Sequence, residues 1–267
     1  MNAVLKILRD DEHISVSSLN TYMLCPRQYQ HRYVLGTPVE HRGAALAFGS
    51  ATHETLASFY NALRAGNQEP TLEELSATFR DAWTKQLDDP TPVLLDEKDS
   101  VDSLTDMGIG MIGCFLENAP RPSKVIEVEM PFSIELVDRE TGEVLPRLVG
   151  VFDAVVQDED GAYRILEHKT AAKRWTQDKL AFDAQLTGYH VAAPLMGLPE
   201  AKVTVQLLLK TKKPGFEVYT PSRTEADKRD FVEMAIGVQR AIRAGAFYPK
   251  RDWACSGCSY SSRCLAG

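Results

Sequence analysis

Residues 147–169 read RLVGVFDAVVQDEDGAYRILEHK, a stretch whose two halves are rich in β-branched and aromatic residues around an acidic, glycine-containing DEDGA. That composition predicts two neighbouring strands joined by a short turn. Asp153 sits in the first strand, and fourteen residues later the second carries Glu167, His168 and Lys169. Pairing of the two brings Asp153 beside Glu167. Because side chains alternate along a strand, Glu167 and Lys169 point to one face and His168 to the other.

Outward from this pair the same texture continues. VIEVEMPFSIEL (125–136) precedes it across the turn-like DRETGE and reads as a third strand of one sheet. A helix is expected over about 177–196, then strands over 201–210 and 215–220, then a helix over 223–243. Upstream, apolar residues recur every three or four positions over 49–63 and 71–87, with Asn67, Pro70, Pro90 and Pro92 at the breaks, and a third helix covers about 100–117. Nearer the start, SVSSLNTYMLC offers hydroxyl caps and Leu19, Tyr22 and Met23 at helical spacing, before Cys25 and Pro26 interrupt the pattern. The order predicts an α/β core with a central mixed sheet and flanking helices. Residues 1–120 form an N-terminal helical part, 121–250 the core and 251–267 a tail, all in one integrated domain, since no repeat or linker divides them.

With 267 residues, 44% hydrophobic and 25% charged, the chain is expected to fold. Thirty Lys and Arg against 37 Asp and Glu give a net charge of −7, so any contact with a polyanion must use a local basic surface. No apolar run is long enough to span a bilayer, and MNAVLKILRDDEH lacks a signal-peptide pattern. A cytoplasmic protein is the expectation. Five cysteines, three of them within the last 13 residues, suit metal binding better than a secreted disulfide framework.

Two carboxylates and a lysine at one place are what phosphodiester hydrolysis needs. Hard oxygen ligands from Asp153 and Glu167 suit Mg²⁺ or Mn²⁺, and the neighbouring lysine either orients the attacking water or stabilises negative charge. Taken singly, an E-x-K in a strand reads as a solvated charge pair. The ordered set carries more. Gly150-Val-Phe-Asp153, Glu167-His-Lys169 and Gln185-Leu-Thr-Gly-Tyr189 resemble the G-x-x-D, E-x-K and Q-x-x-x-Y pattern of the RecB-like branch of the PD-(D/E)XK nucleases. The resemblance implies a restriction-endonuclease-like core. It also implies His53, in FGSATHETL, as a further metal ligand, the backbone carbonyl of His168 as another, and Gln185 and Tyr189 as substrate-positioning residues. The last two are four apart and share a helix face.

The tail CSGCSYSSRC sets Cys255, Cys258 and Cys264 close together, and Cys25 in LCPRQY supplies a candidate fourth thiolate. Cys114, in GMIGCFLE, reads as a small core residue. On ligand chemistry alone the four thiolates suit structural zinc or an iron–sulfur cluster. The layout of one cysteine before the core and three after it resembles AddB-type nucleases and CRISPR-associated RecB-family exonucleases, which implies a [4Fe–4S] cluster with Zn²⁺ as the alternative. Such a clasp would tie the two ends together and couple folding to metal. The expected activity is hydrolysis of DNA with accessible single-stranded ends, in CRISPR adaptation or in repair and recombination, with any helicase a separate partner. The competing class is a non-catalytic DNA-binding or assembly subunit that retains the fold.

Overall fold

The computed structural model describes residues 13–138 and 140–265. Residues 1–12, where the sequence shows no signal-peptide pattern, lie outside the described residues. In chain order the elements begin with β1 (His13–Ser15), α1 (Val16–Leu24) and α2 (Pro26–Tyr29), followed by a π-helical turn at Gln30–Val34. Next come β2 (Arg42–Gly43), α3 (Ala44–Arg64), α4 (Leu72–Leu87), β3 (Val93–Leu94) and α5 (Val101–Asn118). The long strands β4 (Lys124–Val137), β5 (Val144–Gln157) and β6 (Tyr163–Ala171) precede α6 (Gln177–Phe182) and α7 (Ala184–Leu195). The chain continues with β7 (Lys202–Leu209), β8 (Gly215–Tyr219), α8 (Glu225–Arg243), a 3₁₀ turn at Trp253–Gly257 and α9 (Ser261–Leu265).

Local chemistry starts these helices. Ser15, Thr71, Ser100 and Thr224 each cap a helix with a reciprocal capping box, satisfying amides that have no partner within the helix. Pro26 stands at the first position of α2, where its missing N–H costs nothing. The helix expected over 177–196 is two helices. The chain breaks at Asp183, whose side chain accepts from the amides of Gln185 (3.0 Å) and Leu186 (3.2 Å) and starts α7 anew.

A six-stranded mixed sheet is the centre of the fold. β4 runs antiparallel to β5 along nearly its whole length. The other edge of β5 is shared: β1 lies parallel to its first half at residues 147–149, and β6 lies antiparallel to its second half at residues 154–157. β6 is parallel to β7, and β7 is antiparallel to β8. α1, α7 and α8 cover one face around Leu19, Phe152, Leu186, Tyr189 and Phe231. α3, α4 and α5 cover the other around Phe48, Phe59, Phe79, Trp83 and Phe115.

One irregularity in β4 and β5 positions the site. Val128 and Ala154 pack in the α3–α5 core, whereas Met130 and Phe152, only two residues along in each strand, pack in the opposite core. A regular strand returns to the same face every two residues, so both strands switch faces here. Glu129, the one non-glycine with positive φ (51°) among the described residues, lies between Val128 and Met130 and takes up the switch. Asp153 stands across from it. Nearby, Gly150 is required by close packing: a Cβ there would lie 2.4 Å from the Phe132 ring.

Candidate active site

β5 and β6 are paired only as far as Ala154 and Leu166, and beyond that register they part. Asp153 and Glu167 are the first residues on either side of the fork. Asp153 Oδ2 bridges it, accepting from the backbone N–H of His168 at 2.7 Å. The same oxygen lies 3.4 Å from Nδ1 of His53, one turn after the middle of α3's glycine-containing FGSA segment, and 3.4 Å from Nδ1 of His168. Those three side chains offer ligand atoms that all fall within 4.8 Å of one another.

Glu167 is fully buried on the α1–α7 side. Its Oε1 is ion-paired with Lys169, and its Oε2 accepts from the Tyr189 hydroxyl at 2.7 Å. Lys169 Nζ also donates to Gln185 Oε1 (2.8 Å), and Gln185 Nε2 donates to the Tyr189 hydroxyl (3.0 Å). The Tyr189 hydroxyl also lies 2.5 Å from Val151 O, in the stretch of β5 between β1 and β6. Gln185 and Tyr189 thus reach the edge of this cluster together, where they bond Lys169 and Glu167. Tyr189 is only 2% exposed.

His168 takes the opposite face, as strand alternation requires. Its ring stacks on Tyr60 of α3 at 5.3 Å between centroids, and the Tyr60 hydroxyl bonds Gln206 of β7 at 3.0 Å. The ring nevertheless presents Nδ1 to Asp153, so His168 approaches the aspartate with both backbone and side chain. Sequence reading did not single out Glu129, Asp183, Tyr60 or Gln206. Gln206 carried a signal, being a polar residue inside the apolar run VTVQLLL.

The two carboxylates are driven apart. Burial pushes Asp153 toward its neutral form, but His53 and His168 outweigh that effect and hold it well below the usual carboxylate range. Glu167 is pushed up to about 7, first by burial and then by the Asp153 charge, against the opposing pull of Lys169. Burial disfavours charge on Lys169 and His53 as well, yet the adjacent carboxylates win and both are raised.

A cleft of about 260 Å³ opens onto this cluster between Ser15, Ser17, Asp153, Glu167, Lys169 and Gln185. His53 and Lys169 also border a broader groove of about 1030 Å³ along α3, whose wall carries Gly49, Ala57 and Glu129. At the other end of α1, Cys25, Cys255, Cys258 and Cys264 line one small cavity. All four are free thiols. Burial raises the Cys258 thiol, and the facing sulfurs of Cys25, Cys255 and Cys264 add to that. Cys114 lies elsewhere, on α5, where it is half-buried beside Asn118 (3.7 Å from its sulfur) and not the core residue the sequence suggested.

The sequence profile of the PD-(D/E)XK nuclease superfamily matches residues 13–265. The protein belongs to the PD-(D/E)XK nuclease superfamily. The nuclease fold is also seen in a candidate exonuclease from Eubacterium rectale, with a TM-score of 0.59 and 14% identity over 93% of this chain and 88% of that one. A second solved structure, SSO0001, matches with a TM-score of 0.45 and 14% identity over 99% of this chain and 97% of its own. No curated protein matches the chain. Among the described residues of this nuclease, no helix is long and apolar enough to cross a membrane.

Proposed function

We propose that this nuclease is a metal-dependent DNA exonuclease that hydrolyses phosphodiester bonds at DNA ends, with Asp153, Glu167 and Lys169 as its catalytic residues. The observation that carries the reading is the convergence of these three side chains with His53 at the β5–β6 fork, in one open cleft. The donor set fits a divalent ion: Asp153 is held in its charged form, and two ring nitrogens approach the same carboxylate oxygen. Oxygen ligands suit Mg²⁺ or Mn²⁺, and the nitrogens favour Mn²⁺. Asp153, Glu167, His53 and the backbone carbonyl of His168 would hold the ion, and the His168 ring nitrogen, 3.4 Å from Asp153 Oδ2, is a further donor beside them. When bound, it offsets charge on the phosphate and lowers the pKa of the nucleophilic water.

Each residue then has a distinct task. Asp153 stays anionic at neutral pH. Glu167 presents a carboxyl group fixed by the Tyr189 hydroxyl, and in its deprotonated form it would serve as an oxygen ligand. Lys169, cationic and steered by Gln185, orients the attacking water or stabilises charge on the phosphate. Tyr189 and Gln185 act by positioning. Digestion of end-labelled single-stranded and duplex DNA with Mg²⁺, Mn²⁺ or EDTA tests the reading. Stepwise shortening from an end with either ion and none in EDTA is expected; intact DNA under every condition would favour a non-catalytic DNA-binding subunit.

The second part of the proposal is a [4Fe–4S] cluster on Cys25, Cys255, Cys258 and Cys264. Four free thiols around one cavity suit such a group, with structural Zn²⁺ as the competing occupant. Similarity of this cysteine layout to AddB-type and CRISPR-associated RecB-family nucleases supports iron, and a role in CRISPR adaptation or in repair and recombination. Anaerobically purified protein is expected to be brown with about four iron atoms per chain. Stoichiometric zinc without iron would overturn that assignment.

A further inference from the structure

The segments 27–42 and 248–264 are far apart in sequence and meet at the cysteine end of α1. The Arg27 amide donates to Tyr248 O at 3.1 Å, the Glu40 amide donates to Ser259 O at 3.3 Å, and His31 stacks on Tyr260 at 5.2 Å. Together the two segments carry six Lys and Arg (Arg27, Arg32, Arg42, Lys250, Arg251 and Arg263) against two acidic residues, Glu40 and Asp252, in a chain of net charge −7. Arg42 is engaged by Gln86 and Asp89, and Arg263 and Lys250 approach Glu40 and Asp252 at 3.8 and 3.7 Å. Arg27 bonds the neutral Gln30, Arg32 lies over the Tyr33 ring at 5.4 Å, and Arg251 is exposed.

Aromatic rings stand among these cations. Trp253 is 82% exposed, Tyr248 59% and Tyr33 41%. Large rings in water cost free energy unless something covers them, and the surrounding positive charge selects an anionic cover. Alternating rings and cations are what a single strand of nucleic acid needs: bases stack on the rings while phosphates meet the guanidinium and ammonium groups. A duplex keeps its bases stacked on one another and gains only the phosphate contacts.

We propose that the surface formed by Tyr33, Tyr248 and Trp253 with Arg27, Arg32 and Arg251 binds single-stranded nucleic acid and holds the strand that enters the active-site cleft. The binding surface stands on its own observations; its delivery of a strand to the cleft rests on the nuclease reading. α1 connects the two places. Its first residues line the cleft beside Asp153, and Cys25, which follows its last residue, lines the cavity next to Lys250 and Arg251. Nine residues at 1.5 Å each make a helix of roughly 13 Å, about four stacked nucleotides at 3.4 Å. The surface therefore contacts nucleotides about four or more from the scissile bond.

The test is anisotropy of a 5′-fluorescein dT12 strand and of a fluorescein-labelled duplex, with the full chain in EDTA. Iron content and melting temperature are checked for each variant. Trp253→Ala and Tyr248→Ala should each weaken dT12 binding roughly tenfold while leaving duplex binding nearly unchanged. Arg32→Ala and Arg251→Ala should each lower the salt slope for dT12 by about 0.7. In cleavage assays, Trp253→Ala should raise KM for dT12 at similar kcat and have no effect on dT3. Parent-like dT12 affinity in folded Trp253→Ala and Tyr248→Ala variants overturns the proposal. If those variants instead lose binding of a poly-glutamate peptide while keeping dT12, the surface belongs to an acidic protein partner. Absence of cleavage by a parent protein that binds dT12 through these residues would sink the nuclease reading and leave the surface standing.

Discussion

Replacing Tyr189 with Phe removes one hydroxyl that meets three groups in the proposed active site. The ring itself should stay, because its edge contacts with Phe152 and Phe132, at 4.9 and 5.9 Å between centroids, do not involve the oxygen. What is lost is contact with Val151 O, Glu167 Oε2 and Gln185 Nε2. Gln185 keeps Lys169, and Glu167 keeps its ion pair, but the carbonyl of Val151 lies where β5 has neither β1 nor β6 beside it. The single hydroxyl proton serves either Val151 O or Glu167 Oε2, so one donated hydrogen bond is lost, and leaving a buried acceptor unsatisfied costs about 1–3 kcal/mol. Urea unfolding in EDTA should therefore show Tyr189→Phe destabilised by about 1–3 kcal/mol. Freed of its donor, Glu167 is held less firmly, and cleavage should slow by roughly tenfold to a hundredfold, mostly in kcat. A variant within about 0.5 kcal/mol of the parent and cleaving at the parental rate would refute the positioning role.

Three further outcomes follow from other parts of the molecule. Glu129→Gly should be neutral or stabilising, since glycine takes φ of 51° without strain, whereas Glu129→Val should cost about 1–3 kcal/mol in thermal unfolding; equal stability of the two would show that the backbone there is not strained. Glu167 has a folded-state pKa raised to about 7 from an ordinary 4.5, so the stability it contributes is fully present below pH 4.5 and lost as pH rises through 7. In EDTA the parent should lose on the order of 3 kcal/mol relative to Glu167→Gln between pH 4.5 and 8, and parallel profiles would contradict the buried-carboxylate assignment. Cys25→Ala should lose iron and melt at lower temperature, while Cys114→Ala should keep its iron and show only a packing defect; the reverse pattern in a metal assay would reassign the ligand.

Much of this fold was legible because its elements are long and periodic. The helices over 49–63, 71–87 and 100–117 and the strands of the sheet follow directly from apolar spacing, and the DEDGA turn announced that β5 and β6 are neighbours. β1 was not legible: three residues carry too little pattern, and its pairing with residues 147–149 is set by tertiary packing. Nor was the face switch at Glu129. The even-numbered residues from Ile126 to Leu136 are all apolar and read as an unbroken alternation, so nothing local signals that Val128 and Met130 face opposite cores. The break at Asp183 was hidden for a related reason. Asp-Ala-Gln-Leu is a fair helix start, but it sits inside a stretch whose overall apolar period is helical. At the site, the residue types and spacing identified Asp153, Glu167 and Lys169 as a set, while the network from Tyr189 through Gln185 to Lys169 required the third dimension.

Lys169 and the two carboxylates are the proposed reacting groups, and the direct measurement is single-turnover cleavage of a 5′-labelled single strand in Mn²⁺ by the parent and by Lys169→Ala. Circular dichroism and melting confirm that both are folded. The expected result is end-directed shortening by the parent and loss of at least a hundredfold in rate for the variant at saturating protein, with DNA binding retained. Cleavage by a folded Lys169→Ala protein at near the parental rate would place the chemistry elsewhere in the molecule.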